Sequence, residues 1–466
     1  MFKKYTALCA IAAVQAKNGH KLDKLLNKLQ DVNVTETDAD MSDHWAVIIA
    51  GSNQFYNYRH QSDTCHAFQI MKKNGIPEDQ IIHMSYNDVA KSSSNPFPNQ
   101  LFNKPTAAGT PGIDVNDGCL VDYEGETVTA ENMLKVLSGD ESAGGKVLKS
   151  TEKSKVFFYF ADHGGPGILG TPTGKYLYAD DLHNTIKEMH EKNMYKEMTM
   201  YVEACESGSI FQNILETDIG VYAISATDAT TSSWGTYCSP DDKVNGKSIG
   251  SCLGDLFSVN WMEDTDAADI TKESLQDQYE AVKAATTKSP VLQWGELDFT
   301  SEPIADFQSN QDAQGNDFWG QLIHDGLNIL DDALMLESES AERKNTFAVD
   351  SRDIKLHYYY NKVMVNPTPE NHAALQAEIA HRVSVDAIFD KIFDAEHMEK
   401  VRAGETAQIQ NFDCYRSMIE TFEEKCEKLD DYSLKYAKAF VQECETNTYK
   451  TGLESSLAKI YNACPE

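Results

Sequence analysis

After its first few residues this sequence has no apolar run approaching the roughly 20 residues that a membrane-spanning helix needs. Basic side chains are also scarce: 41 Lys and Arg stand against 73 Asp and Glu, for a formal charge of −32. A nucleic-acid-binding surface needs a positive field, so this balance excludes one. The acidic excess fits a chain kept soluble in an acidic compartment, and it equally describes a generally solvated surface. Glycosylation sequons are rare too. Asn33-Val34-Thr35 is the one with an acceptable middle residue.

What is present is apolar material, 41% of 466 residues, enough for a sizeable core and for more than one domain. Lys3-Lys4 and the short apolar run Tyr5–Ala16 read as a secretory signal over 1–16, leaving Lys17 first. Residues 17–42 read as a short propeptide or lead, with one amphipathic piece at Leu22–Leu29. The ten cysteines suit the oxidising route that such a signal opens. Cys9 leaves with the signal. Cys238 and Cys252 lie close enough across a polar loop to staple it. Cys414, Cys426, Cys444 and Cys464 suit two bridges, for which three connectivities are open. Cys65 and Cys119 read as small buried hydrophobes. Cys205 remains.

His44–Gly51 is a continuous apolar run bounded by glycine, the pattern of a strand buried on both faces of a parallel sheet. Further strands are expected at Gln80–Met84, Lys155–Ala161, Met198–Ala204 and Val221–Ala226, with helices at Gln61–Asn74, Val128–Leu137 and Asp180–Asn193. This alternation predicts a doubly wound α/β domain over 43–300, with its chemistry at the carboxyl ends of the strands. Asn57, His163 and Cys205 follow the first, third and fourth strands at that edge. Residues 301–353 read as an exposed linker open to proteolysis, interrupted by a partly amphipathic piece at Phe318–Met335. From Lys355 onward the pattern is helical, so 354–466 is expected to be a separate disulfide-stapled domain.

A cysteine is a nucleophile only as its thiolate. Cys205 stands at a turn out of a strand, where the N–H groups that follow and a helix dipole would lower its pKa. His163 precedes Gly164-Gly165, and histidine is the natural proton carrier near neutral pH. The N–H groups of Gly164 and Cys205 are placed to form an oxyanion hole. Each residue also has an inert reading, a buried structural cysteine and a histidine that merely caps its strand. Together they point to a cysteine peptidase.

These residues sit in longer stretches: Ala50–Asp63 (AGSNQFYNYRHQSD), Gly75–Pro77 (GIP), Val147–Ser150 (VLKS), Ala161–Gly164 (ADHG), Glu203–Ser209 (EACESGS), Leu253–Asp255 (LGD) and Ser258–Asp264 (SVNWMED). In them the chain resembles the legumain family of asparaginyl endopeptidases, the vacuolar processing enzymes of plants. The resemblance is dense over 44–300 and looser through the C-terminus. It implies an α/β fold with a caspase-like, mostly parallel sheet flanked by helices, followed by an all-α prodomain. It implies no cofactor and no metal. Cys205 would be the nucleophile, His163 the proton carrier and Asn57 its orienting partner, with Asp162 beside the site. Arg59, His60, Glu203, Ser232 and Asp255 would build the S1 pocket.

The same resemblance implies that the C-terminal domain inhibits the enzyme until acid-triggered self-cleavage in the linker, with Asn345 and Asp350 as candidate cuts. Docking carboxylates that must protonate as pH falls would drive that release. The prodomain bridges would be Cys414–Cys444 and Cys426–Cys464. Expected partners are protein and peptide substrates with exposed Asn, the chain's own prodomain and cystatin-like inhibitors. The expected location is the secretory pathway, ending in lysosome, vacuole or secretion. The Cys238–Cys252 loop resembles the plant type, and the linker matches no family segment. Three alternatives stay open: peptide ligation through the same acyl-enzyme, a GPI-transamidase-like enzyme, for which no anchor is visible, and an inactive binding homologue.

Overall fold

The computed structural model describes residues 43–310, 347–448 and 452–464. The signal and lead at 1–42 with Asn33, the piece Phe318–Met335 and the candidate cut Asn345 lie outside the described residues.

In chain order the strands used below are His44–Ala50 (β1), Ile81–Ser85 (β2), Tyr123–Glu124 (β3), Lys155–Ala161 (β4), Glu197–Glu203 (β5), Val221–Ser225 (β6), Trp234–Thr236 (β7), Gly254–Asp255 (β8), Leu292–Gly295 (β9) and Val349–Asp350 (β10). Seven form one sheet in the order β9-β6-β5-β4-β1-β2-β3, parallel except where β9 joins β6. The three central strands are apolar runs because neither face meets water; all seven residues of β1 are buried. Alternate residues feed opposite faces. Ala46 and Ile48 join Phe157, Tyr159 and Tyr201 on one side, while Val47 and Ile49 join Phe158 and Val202 on the other. Helices Tyr58–Lys73 (α1), Leu256–Ala267 (α4) and Leu275–Ala285 (α5) cover the first face, and Ala130–Leu137 (α2) with Ala179–Glu191 (α3) covers the second. The short strands β8, β7 and β10 form a small antiparallel sheet near the carboxyl edge.

Helix α1 starts at Tyr58, three residues before the expected Gln61. Its first two turns hold Arg59, His60, Gln61, Ser62, Asp63 and Thr64, and all six are buried. Polar side chains carry no apolar periodicity, so the start was hidden. A helix that buries polar groups must meet them with other polar groups, and this one meets most of them, though not Arg59 Nη2 or His60 Nε2, at the site described below.

The stretch read as a linker is folded at both described ends. Ala305–Gln308 forms a short helix (α6) that buries Phe307, while Glu302 and Asp306 both pair with Lys155 at the start of β4. Beyond the undescribed segment, β10 pairs with β7. The C-terminal helices are Ile354–Val365 (α7), Pro369–Ile392 (α8), Ala395–Arg402 (α9), Phe412–Lys425 (α10), Ala437–Thr446 (α11) and Leu453–Ala463 (α12). Helices α8 to α12 share a core in which Phe389 stacks on Phe422 and Tyr436 at 4.9 and 4.6 Å, while α7 buries Ile354 and Tyr358 against residues of the first domain. Bridges Cys414–Cys444 and Cys426–Cys464 staple that core, and Cys238–Cys252 closes its loop.

Cys65 and Cys119 are not free hydrophobes. They form a fourth disulfide, with Cα atoms 5.5 Å apart and a sequence separation of 54. The bridge ties α1 to the long loop before β3. Breaking it with Cys65→Ser/Cys119→Ser should cost about 4 kcal/mol on the loop-entropy model, read as a lower midpoint in denaturant. Alkylating the unfolded, unreduced protein should label Cys205 and spare both partners; label on Cys65 or Cys119 would contradict the bridge.

Candidate active site

Ala161 of β4 lies beside Glu203 of β5, so His163 and Cys205 each follow a shared rung by two residues. Their backbones abut: a Cβ added to Gly164 would come within 2.7 Å of the Cys205 carbonyl oxygen. Glycine after His163 is what permits this approach. Asn57 ends the turn that follows β1. Its Nδ2 donates to the Asn53 carbonyl at 3.0 Å and its Oδ1 accepts from Arg59 Nη1 at 3.3 Å, which fixes the amide orientation. The same Oδ1 is 2.8 Å from His163 Nε2, so Nε2 carries the hydrogen. His163 Nδ1 is left without a partner and holds the lone pair a base needs.

Below these groups, three carboxyl-bearing segments converge on Arg59. Its Nε donates to Asp255 Oδ1 at 2.8 Å, at the end of β8. Glu203, the last residue of β5, accepts with Oε2 from the Ser258 amide and hydroxyl, both at 3.0 Å. His60 Nδ1 meets Ser52 Oγ at 2.6 Å, and its ring stands edge-on to His163 at 5.1 Å. Arg59 Nη2, Glu203 Oε1, Asp255 Oδ2, His60 Nε2 and Asp162 Oδ1 are buried without hydrogen-bond partners. His60 Nε2 lies 3.3 Å from Asp255 Oδ2 without a hydrogen bond between them. Burial pushes Glu203, Asp255 and Asp162 above the usual carboxyl range and holds His60 and His163 well below the usual imidazole value.

Of the expected pocket residues, Arg59, His60, Glu203 and Asp255 come together, with Asp162 at His60. Ser232 makes no contact with these four; its side chain bonds the Asp350 carboxylate. Asp350 is therefore not an exposed cleavage point. It sits in β10, opposite Trp234, held on backbone and side chain.

The C-terminal region covers the site. Ser351 N–H donates to the Ser233 carbonyl at 3.0 Å, and Ser233 N–H donates to Cys205 Sγ at 3.3 Å. Arg352 Nη2 reaches the Gly164 carbonyl at 2.6 Å and Glu206 Oε2 at 2.7 Å. Lys438 takes the other Glu206 oxygen at 2.9 Å, and Asp431 lies 3.4 Å from His163 Nε2. Cys205 is fully buried, and that burial pushes its thiol up to about 11, against a pull downward from Arg352. The expected lowering by a helix dipole is absent. Glu206 turns left-handed at φ 52°, and only the 3-10 turn Ser207–Ile210 follows, too short to build a macrodipole.

Ser233, Arg352, Lys438 and Asp431 were missed in the sequence. Arg352 stood in an apparent linker and Asp431 in a loop between helices, where no period marks a contact made across the fold. His60, Asp162 and His163 bring ligand-type atoms within 4.8 Å of one another, as do Cys65, His83 and Cys119. In the first group Ser52 and Asn57 already engage ring nitrogens, and in the second the sulfurs are bonded to each other.

Truncating Arg352→Ala removes its hydrogen bonds to the buried Glu206 and to the Gly164 carbonyl, while Lys438 still balances Glu206, a loss of about 1.5–3 kcal/mol. The cover should loosen, and alkylation of Cys205 at neutral pH should speed up by more than about tenfold. An unchanged rate would mean that Arg352 does not hold the cover.

Residues 44–310 match the peptidase C13 family, and residues 373–464 match the legumain prodomain. Over 442 residues the chain is 36% identical to a vacuolar-processing enzyme of Vicia sativa, covering 90% of this chain and 86% of that one. It is 34% identical over 473 residues to one of Phaseolus vulgaris, covering 96% and 91%. It is also 34% identical over 459 residues to the delta isozyme of Arabidopsis thaliana, covering 94% and 93%. A caspase-1 structure from Spodoptera frugiperda aligns with 57% of this chain and 94% of its own, at TM-score 0.35 and 10% identity.

Proposed function

The chain belongs to the peptidase C13 family, and from that premise we propose that this legumain-type cysteine endopeptidase cleaves peptide bonds after asparagine, joined by aspartic acid at lower pH. The observation that carries the reading is the set of unpartnered atoms in the pocket: a donor at Arg59 Nη2, with acceptors at Glu203 Oε1 and Asp255 Oδ2. A carboxamide offers the complement, one carbonyl acceptor and one NH₂ donor. An apolar side chain would leave all three atoms dry and unpaired. An ionised aspartate would be repelled by Glu203 and Asp255, whereas a protonated one resembles asparagine.

In turnover, His163 Nδ1 takes the Cys205 proton and the sulfur attacks the scissile carbonyl carbon. The N–H groups of Gly164 and Cys205 receive the oxyanion. His163 then returns the proton to the leaving amine, and water hydrolyses the thioester. Asn57, through His163 Nε2, holds the ring. Strand β7 would pair with substrate backbone once β10 has left its edge. We place the signal, lead and activation cut at 1–16, 17–42 and Asn345, the catalytic unit from residue 43, and the site of action in a lysosome or vacuole. The chain's own C-terminal domain is the inhibitor, and cystatin-like proteins are candidate external ones. Among the described residues no helix is long and apolar enough to cross a membrane.

Acid release follows from the buried histidines. His163 is held neutral under the cover by burial first and by Arg59 and Arg352 next. Uncovered, it protonates more readily, so docking weakens as pH falls below about 6.5. His357, which bonds the Ser239 carbonyl, is also held low by burial and acts in the same direction. The carboxylates do not all behave as expected. Asp430 is lowered to about 2, against burial, by Lys355, Ser433 and His381, all within the C-terminal region itself, so its charge does not respond to release. Asp431 is pushed up to about 6 by burial and then by Asp430, so its protonation favours the docked form as pH falls from there. Asp350 is raised as well and acts with Asp431.

Two measurements test this. Matched peptides with Asn or Asp before the cut should show Asn cleavage at about pH 5 to 6, with Asp gaining only at lower pH. Equal Asp cleavage at neutral pH would sink the pocket reading, and any residual turnover in Cys205→Ala would sink Cys205 as the nucleophile. Replacing Asp431→Asn removes the cost of a buried charge above pH 6. The cover should then hold tighter, with Cys205 alkylating about tenfold more slowly at pH 7. Faster alkylation in that variant would contradict the sign given to Asp431.

A further inference from the structure

We propose that Asp63 is a specificity-determining positioning residue: its carboxyl group hydrogen-bonds that of Asp255 and so fixes Asp255 as the acceptor for the amide of the substrate side chain. This rests on the pocket reading above and names a residue outside the pocket's expected set.

Asp63 lies on α1, four residues beyond Arg59, and is fully buried. Its Oδ1 accepts from Asn103 Nδ2 at 2.6 Å, and its Oδ2 accepts from the backbone N–H of Asp255 at 3.0 Å. The side chains of Asp63 and Asp255 also hydrogen-bond to each other. Two carboxyl groups can share such a bond only when one carries a proton. The charged and titratable groups around Asp63 decide which one. Asp255 and Glu203 face it from the ends of β8 and β5, and Tyr159 faces it from β4. On its own helix, Arg59 bonds Asp255 directly, and His60 lies 3.3 Å from the other Asp255 oxygen. Arg59 thus holds Asp255 ionised, and the proton falls to Asp63, whose carboxyl is pushed well up by burial and then by Asp255.

The arrangement has little slack. Gly254 precedes Asp255, and a Cβ there would come within 2.8 Å of both Asn103 Nδ2 and Asp63 Oδ1. Asn103 is itself tied to the Leu253 carbonyl at 3.1 Å. Backbone and side chain of Asp255 are therefore both gripped by Asp63. The proton on Asp63 does the work of a second cation: it lets two carboxyl groups occupy one dry site while Asp255 keeps its charge. When that proton leaves at higher pH, the two carboxylates repel and Asp255 is pushed from its place. The substrate amide then loses its positioned acceptor, and KM rises.

Asparagine at position 63 supplies an N–H donor that never titrates. The full chain, activated in acid, would be compared with Asp63→Asn and Asp63→Ala for KM and kcat on an Asn peptide between pH 5 and 8. Iodoacetamide labelling of Cys205 reports whether each variant is folded and uncovered. The wild type should show KM rising on the alkaline side, by about tenfold per pH unit at its steepest. Asp63→Asn should flatten that rise. Asp63→Ala should raise KM by about tenfold at every pH, with a smaller change in kcat. If Asp63→Asn keeps the wild-type KM profile, or if its loss falls on kcat alone, the proposal is overturned. Should Asp63→Ala fail to label, the near-isosteric Asn variant still decides. A wild-type enzyme that ignores Asn peptides overturns the pocket reading itself, an outcome distinct from an unchanged profile in Asp63→Asn.

Discussion

The guanidinium of Arg59, removed from water at the head of α1, is the constraint to which the carboxyl edge of the sheet answers. A buried cation costs several kcal/mol unless it is paired and fully hydrogen-bonded. Asp255 takes Nε, Asn57 takes part of Nη1, and Nη2 is left over. That remainder is useful only to something that enters from outside. Each carboxyl group drawn in to balance Arg59 needs donors of its own. Glu203 finds Ser258, and Asp63 finds Asn103 and the Asp255 amide. The six buried polar residues that open α1, the short strand β8 and the start of α4 are thereby locked into one network. The parallel sheet beneath supplies the rigidity that keeps these groups apart by fixed distances.

The inert form uses the same physics. The segment through Val349–Asp350 lies along β7 as an added strand, so the cover borrows a backbone pairing that a substrate could use. It then places charges of both signs over the cleft, Arg352 and Lys438 on Glu206 and Asp431 near His163. What disables the chemistry is dehydration. A thiol held near 11 and an imidazole kept neutral do not form the thiolate–imidazolium pair that a cysteine peptidase needs. No bond to Cys205 has to be broken to restore it, only access to water.

Strands were legible because their apolar runs are continuous. His44–Gly51 and Lys155–Ala161 were placed to within a residue, and five of the sheet's seven strands were read from such runs; β3, only two residues long, and the antiparallel β9 were not. Cys205 and His163 were legible because each stands two residues past such a run; Asn57 lies farther on, at the end of the turn after β1. Pocket members such as Asp255 carried no pattern of their own and came only through resemblance. The Cys65–Cys119 bridge was hidden by the loop between its ends, which has no period to trace its path. Arg352 and Asp431 were hidden for a related reason: their meaning lies in what they touch more than 140 residues away at Glu206 and more than 260 away at His163, taking Arg352's separation as 146.

On the proposed reading, the cover's response to acid is a balance of opposed titrations. The histidines begin to favour release as pH drops below about 6.5. Asp431, pushed up to about 6, and Asp350, also raised, favour retention as they protonate. The histidines and these carboxyl groups therefore pull against each other in mildly acid surroundings. Asp430 stays ionised on Lys355 down to about 2 and takes no part. A cover built only on paired carboxylates would hold until pH neared 4. One that leans on buried histidines yields earlier, and its own raised carboxyl groups temper how far it opens.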